Sequence, residues 1–259
     1  MNVIRTFFMA KNVFQEVIRD RILYIIGFYG IILTIAFRAI PEFATTTSDK
    51  IFLDFGLAAI NVIGLIVAIF IGTGLINKEI EKRTILVLIA KPITRSEFIT
   101  SKYLGLSAVL AVLVTAMTII YLGFLQFGKV SYGINSIFLA SLFIFLQLSL
   151  ITAIAISLGV FTSSLIATAL TFAVYLMGNI TQDLVALGKL SRNPGMERIT
   201  QGLYLILPDL SRLDLKNDAV YGLQALPDSI TLITNAGYGL LYSFMLLAIA
   251  NLIFLKREF

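Results

Sequence analysis

Charged residues along this chain fall into clusters, and the clusters are separated by long windows that contain no Asp, Glu, Lys or Arg. Six windows stand out, at 22–37, 57–77, 103–128, 136–160, 165–182 and 230–255. A helix needs about 20 apolar residues to cross the hydrocarbon core of a bilayer, with about 17 as the usual lower limit. Five windows meet that length and the first is slightly short, so the pattern predicts six transmembrane helices. Residues 136–182 run for 47 positions without a charge, too long for one helix. The run must fold back, and Gly159 to Ser164 is the natural turn. Before the first window, Val3, Ile4, Phe7, Phe8, Ala10, Phe14, Val17 and Ile18 recur at helical spacing, opposite Arg5, Lys11, Asn12, Gln15, Glu16 and Arg19. This predicts an amphipathic helix over 1–21 lying on the inner leaflet, the alternative being a helix packed on the protein itself. Glu16 and Asp20 argue against a signal peptide.

Between the second and third windows the pattern changes abruptly. Nine of the 35 charged residues lie in positions 78–102. Pro92 disfavours helical geometry at Lys91, so a helix continuing from about Lys78 should stop there. Thr94-Arg95-Ser96-Glu97 then has capping-box spacing: the Thr94 hydroxyl can accept from the Glu97 N–H while the Glu97 carboxylate reaches back to the Thr94 N–H. A second helix starting near Arg95 would run into the third window. Helix, proline turn and capped helix make a rigid bracket, as needed if force on the loop is to move the spans. The same loop is also consistent with a polar connection that only sets topology.

Composition agrees with the pattern. With 58% apolar residues, 14% charged residues and a mean hydropathy of +0.94, the chain lies far from the roughly 25% charge of soluble domains. It reads as an all-α polytopic membrane protein with a single transmembrane domain over 1–259. Placing both termini inside assigns Arg5, Lys11, Arg19, Arg21, six basic residues of the 78–102 loop, Lys256 and Arg257 to the cytoplasm. That is twelve of the 20 Lys and Arg, the direction the positive-inside rule favours. Segment 183–229 would then be extracytoplasmic. The net charge of +5 is accounted for by basic residues facing anionic lipid, with no nucleic acid required.

The chain has no His, Cys or Trp. That excludes imidazole and thiolate metal sites, a Cys nucleophile and a Ser-His-Asp triad. It also lacks a phosphate-cradling glycine-rich loop ending in Lys-Ser or Lys-Thr. No catalytic residue is expected, and if ATP drives this protein another chain hydrolyses it. Asp209, Asp214 and Asp218 could suggest the metal–diphosphate cluster of an intramembrane transferase, but their spacing fits no such motif. The windows themselves contain no ionisable Asp, Glu, Lys or Arg, whereas ion-coupled carriers usually keep one inside the bundle. Their polarity is mild. Asn61, Thr115, Thr118, Tyr121, Thr171, Tyr175 and Asn179 are candidates to line a pathway, and Thr73, Gln147 and Thr152 add to the set, although such groups mostly hydrogen-bond neighbouring helices.

The loop also resembles the first cytoplasmic loop of ABC-2 type transporter permeases. That loop usually reads as an acid, Gly-Thr, leucines, a small residue, Pro, a β-branched residue, Ser-Arg and a later Lys. Here the corresponding residues are an acid at 79 or 81, Arg83-Thr84, the leucine-containing run at 86–90, Lys91-Pro92-Ile93-Thr94-Arg95 and Lys102. Arg83 stands where Gly is usual and Thr94 where Ser is usual. The layout of the whole chain is similar too, and Pro208-Asp209-Leu210 with Asp214 resembles the pattern of copper-processing-like and multidrug-type members. The resemblance implies an export permease in a cytoplasmic membrane, working as a dimer with a second copy or a paralogue. It further implies a separate ATP-binding subunit that holds ATP and Mg and docks on coupling elements. The first element would include Glu79, Glu81, Arg83, Thr84, Pro92, Thr94, Arg95 and Glu97. The second would be the turn at Phe161, Thr162, Ser163 and Ser164, which on its own also reads as a plain helix hairpin. Segment 196–207, after the Asn193-Pro194-Gly195 turn, would dip toward the bilayer as an outer gate. A secondary carrier or channel not driven by ATP is the alternative function, and the cargo is not named by any of these residues.

Overall fold

The computed structural model describes residues 3–43, 47–81, 94–191 and 193–256. Among these there is no strand. Helix α1 (Val3–Val17) leads through a π-helical turn (Ile18–Ile22) into α2 (Leu23–Phe43), followed by α3 (Ser48–Glu81), α4 (Arg95–Phe127) and α5 (Ile134–Phe161). Then come α6 (Ser164–Asn179), α7 (Thr181–Leu190), α8 (Pro194–Ile206), a 3-10 turn (Leu210–Leu213), α9 (Lys216–Val220), a second 3-10 turn (Leu223–Ala225) and α10 (Ser229–Lys256). Helices α2, α3, α4, α5 and α10 are each long and apolar enough to cross a membrane; α6 and α7 pass that test only as a pair, bent by 59° at their junction. The protein is an all-α polytopic membrane protein.

Three element boundaries differ from the sequence expectation, each for a physical reason. Helix α2 continues through Arg38 to Phe43, because a cation in the last turns of a span can extend to the interface. The first span therefore reaches full length. The window at 165–182 does not make one straight helix; α6 ends at Asn179 and the chain turns at Ile180. The turn expected over 159–164 is only Thr162–Ser163. Gly159 lies inside α5, where a Cβ would meet Asn77 Nδ2 at 3.3 Å and the Thr73 carbonyl oxygen at 3.4 Å. This glycine serves close helix packing and not chain reversal.

Apolar lipid gives helices little hydrophobic reason to associate, so small residues and hydrogen bonds hold such bundles together. On α3, Gly56, Gly64 and Gly72 are eight residues apart. Gly56 lies against the Tyr121 ring of α4, Gly64 against Leu148 of α5, and a Cβ on Gly72 would meet that of Ala155 at 2.9 Å. The pairings show α3 and α5 running parallel, with α4 antiparallel between its Tyr121 contact at one end of α3 and its Leu106 contact near Gly72 at the other. Helix α5 touches α3, α4, α6 and α10 and, apart from exposed Ile134, Phe138 and Leu142 in its first half, is largely buried, which accounts for its lack of an apolar stripe. By contrast, α2 buries only Tyr29, Leu33 and Ala36.

Helix α1 is seated on α4. Its buried residues are Thr6, Ala10, Val13 and Val17, a stripe at spacings of four, three and four. A Cβ on Gly105 of α4 would lie 2.7 Å from that of Val13 and 2.8 Å from the Ala10 carbonyl oxygen. Val3, Ile4, Phe7 and Phe8 remain exposed beside that stripe. The wide apolar face read from the sequence is therefore shared: part of it covers α4, and its N-terminal part faces outward, where a lipid surface would meet it.

Candidate functional site

The backbone of Glu79 and Glu81 forms the last turn of α3; their side chains, and Arg83, Thr84 and Pro92 altogether, lie outside the described residues. Thr94 has extended backbone and caps α4: its hydroxyl accepts from Glu97 N at 3.3 Å, and the Glu97 carboxylate accepts from Thr94 N at 3.0 Å. Both halves of the capping box form, and Glu97 is buried at 2% exposure. Arg95 turns away from α4 and donates through Nη1 to the carbonyl oxygens of Phe254 (2.6 Å) and Leu255 (3.0 Å) at the end of α10. Its guanidinium also lies over the Phe254 ring, which stacks on Phe98 with centroids 5.8 Å apart. Lys102 is buried, with Nζ above Phe98.

These groups sit on a small apolar core separate from the main one, formed by Ile76, Phe98, Ile99, Ile156, Val160, Ala250 and Phe254. It joins one end of α3, α4, α5 and α10. The turn after Val160 belongs to the same end. There Phe161 and Ser163 are exposed, while Thr162 donates to the Leu158 carbonyl at 2.8 Å and Ser163 leads into α6 without a side-chain cap. The structure thus brings the loop exit, the Phe161–Ser164 turn and the ends of α3 and α10 together at one end of the bundle.

Most of the polar residues inside the membrane windows are engaged within the bundle. Asn61 Nδ2 donates to Gln147 Oε1 at 3.1 Å, and Gln147 Nε2 is shared between Asn179 Oδ1 and the Leu210 carbonyl, both at 3.3 Å. Asn179 in turn donates to the Tyr175 carbonyl at 2.8 Å. Gln147 is therefore the hub between α3, α5, α6 and the 3-10 turn at Leu210. The one signal for it in the sequence was an amide inside a charge-free window. Thr118 bonds to Val114 O and Ser141 Oγ, Tyr121 to Leu53 O and Thr171 to Ala167 O. Thr115 is exposed on α4. An open-sided groove of about 410 Å³ runs between α3 and α6, lined by Leu65, Ile69, Phe70, Thr168 and Phe172 among others. Thr168 is its one polar side chain and is bonded to Thr73 at 2.9 Å.

At the opposite end of the bundle, Asp209 organises the segment before α10. Its carboxylate accepts from Gln182 Nε2 (2.9 Å), Ser211 Oγ and Arg212 Nε (3.1 Å), and its N–H donates to Tyr238 of α10. Burial pushes the carboxyl pKa up, but the hydrogen bonds from Gln182, Ser211 and Arg212 and the adjacent cation outweigh it and hold the pKa below its ordinary value. Arg212 also donates to Tyr204 of α8, which together with Asp209 raises its own pKa. Asp214 pairs with Lys216 at 2.9 Å. Two of the three aspartates that could suggest a metal–diphosphate cluster are thus occupied by cations of this chain. Segment 196–207 is the greater part of α8, capped by Asn193 through Gly195 N and packed on α7 where Gly188 meets Thr200.

The model of the ABC-2 family of transporter proteins matches residues 6–259. No curated protein matches the chain.

Proposed function

The chain belongs to the ABC-2 transporter family, and we propose that it is the permease subunit of an ATP-driven exporter, paired with a second permease copy or a paralogue. A separate subunit binds ATP and Mg, and this chain contributes no hydrolytic site. Both termini and the 78–102 loop lie on the cytoplasmic side of a cytoplasmic membrane, and 183–229 lies outside. The resemblance of Pro208-Asp209-Leu210 with Asp214 to the pattern of copper-processing-like and multidrug-type members supports an assignment to that branch. The observation that carries the coupling role is the common placement of the capped loop exit and the Phe161–Ser164 turn on one end of the bundle, around one apolar core. Two docking elements on a shared rigid base allow closure of the ATP-binding subunits to bias the bundle between two states. Glu79, Glu81, Arg83, Thr84, Pro92, Thr94 and the exposed Phe161 and Ser163 form the docking set, with the buried Glu97 shaping it through the capping box. The groove between α3 and α6, with Asn61, Tyr175 and Asn179 toward its outer end, is the candidate wall of the pathway.

The test is purification of the full chain from its native membrane in mild detergent, with mass spectrometry of what remains bound and an ATPase assay. A stoichiometric nucleotide-binding subunit, lost when Glu79 and Glu81 are replaced by Lys, is the expected result. A lone chain without ATPase activity, under conditions that preserve other such complexes, would overturn the reading in favour of a secondary carrier or channel.

A further inference from the structure

Arg95 occupies the first turn of α4, where a cation is poorly placed with respect to its own helix, because the N-terminus carries partial positive charge. Its position is explained by a different helix. Arg95 supplies donors to two carbonyls in the C-terminal part of α10, Phe254 O and Leu255 O, while bringing positive charge toward the favourable side of that helix dipole. The ring of Phe254 closes the contact from the other side by stacking on Phe98 and lying beneath the guanidinium. The Thr94–Glu97 capping box fixes the backbone from which Arg95 projects. A lysine could offer one ammonium here but not a planar guanidinium that both bridges carbonyls and lies against a ring.

We infer that Arg95 is a positioning residue that fastens the end of the last span to the loop exit, so that α10 and α4 move as one body when the loop is pushed. This deepens the permease reading and rests on it: the force of the ATP-binding subunit reaches the sixth span through Arg95, and Arg95 is not principally a docking contact. The partner in this case is the chain's own C-terminal helix, 159 residues away.

The chain has no cysteine, so Leu255→Cys, at a position 54% exposed, gives a single site for a spin label. In the full chain reconstituted in lipid, Arg95→Gln should raise the mobility of that label, and Arg95→Lys should restore it only in part. An unchanged label in Arg95→Gln would overturn the clamp, whatever drives the protein. In the complex with its ATP-binding subunit, ATP-driven change at a second label on the opposite end of the bundle should fall roughly tenfold, the scale of a typical coupling free energy between sites. The same loss is expected for Phe254→Ala, which leaves the loop untouched, and the double variant should be no worse than the more severe single one. Loss of the ATP-binding subunit in Arg95→Gln, with Phe254→Ala behaving as the parent, would instead make Arg95 a docking contact and sink the inference. Should no ATP-binding subunit accompany the parent chain, the permease reading falls and the coupling half of the inference with it, while the mobility measurement still decides whether the clamp exists.

Discussion

Asp209 shows how much of the segment before the last span can depend on one buried carboxylate. Through its side chain it receives hydrogen bonds from α7 and from its own 3-10 turn; through its N–H it reaches α10; and through Arg212 it is tied to α8. Its pKa in the folded chain lies below the ordinary value of 3.8, so the sign of the pH dependence is fixed. The charged form contributes stability that is fully present above the ordinary value and is lost as pH falls through the lower, folded one. Thermal unfolding of the chain in detergent should therefore show a midpoint that falls as pH drops below about 4, with that part of the fall absent in Asp209→Asn. Asp209→Ala leaves Arg212 without its carboxylate. Because that arginine side chain is 38% exposed, the cost should be about 2 kcal/mol, below the 3–5 kcal/mol of a fully buried pair, read as a lower midpoint at neutral pH.

At the scale of elements, what was legible in the sequence is what is local. Five of the six charge-free windows coincide with a long helix and the one at 165–182 with the bent pair α6 and α7, and the Thr94–Glu97 box was readable because its two bonds span three residues. Where a second element decides the outcome, the pattern runs out. Gly159 reads as a turn residue until Asn77 is seen to occupy the space a side chain would need. The α1 periodicity shows a wide apolar face but not that Thr6, Ala10, Val13 and Val17 are covered by α4 while Phe7 and Phe8 are not. The amide of Gln147 marks it as more polar than Thr115, but nothing within a window tells that the first is a buried hub and the second is exposed. The seating of α1 is nonetheless testable. Gly105→Val would place a branched side chain where Val13 Cβ and the Ala10 carbonyl already lie. Limited proteolysis should then cut within 1–21 faster than in the parent, while Gly123→Val, at a position on the same helix with open space around it, should leave the cleavage rate unchanged.

Across the whole molecule, two polar fastenings join helices that glycine contacts hold close. At the loop end Arg95 ties α4 to α10; midway along α5, beside the Gly64–Leu148 contact, Gln147 ties α3, α5 and α6 to the turn that begins at Leu210, next to Asp209. The two differ in how they should respond to substitution. Arg95 bridges two backbone carbonyls, and its bond to Leu255 O is exposed. Gln147 is fully buried, and its loss strands Asn61, Asn179 and a carbonyl in an apolar setting, where an unpaired polar group costs more than the bond it made contributed. Hydrogen bonds between membrane helices contribute up to about 1.7 kcal/mol each, so Gln147→Leu should cost roughly 2 kcal/mol in reversible unfolding from bicelles. Replacing Asn61 by Leu in the same chain removes one of the stranded groups. The double variant should therefore be no less stable than Gln147→Leu alone, even though Asn61→Leu by itself is destabilising. Costs that simply add would show that Asn61 and Gln147 act independently, against the bond that joins them.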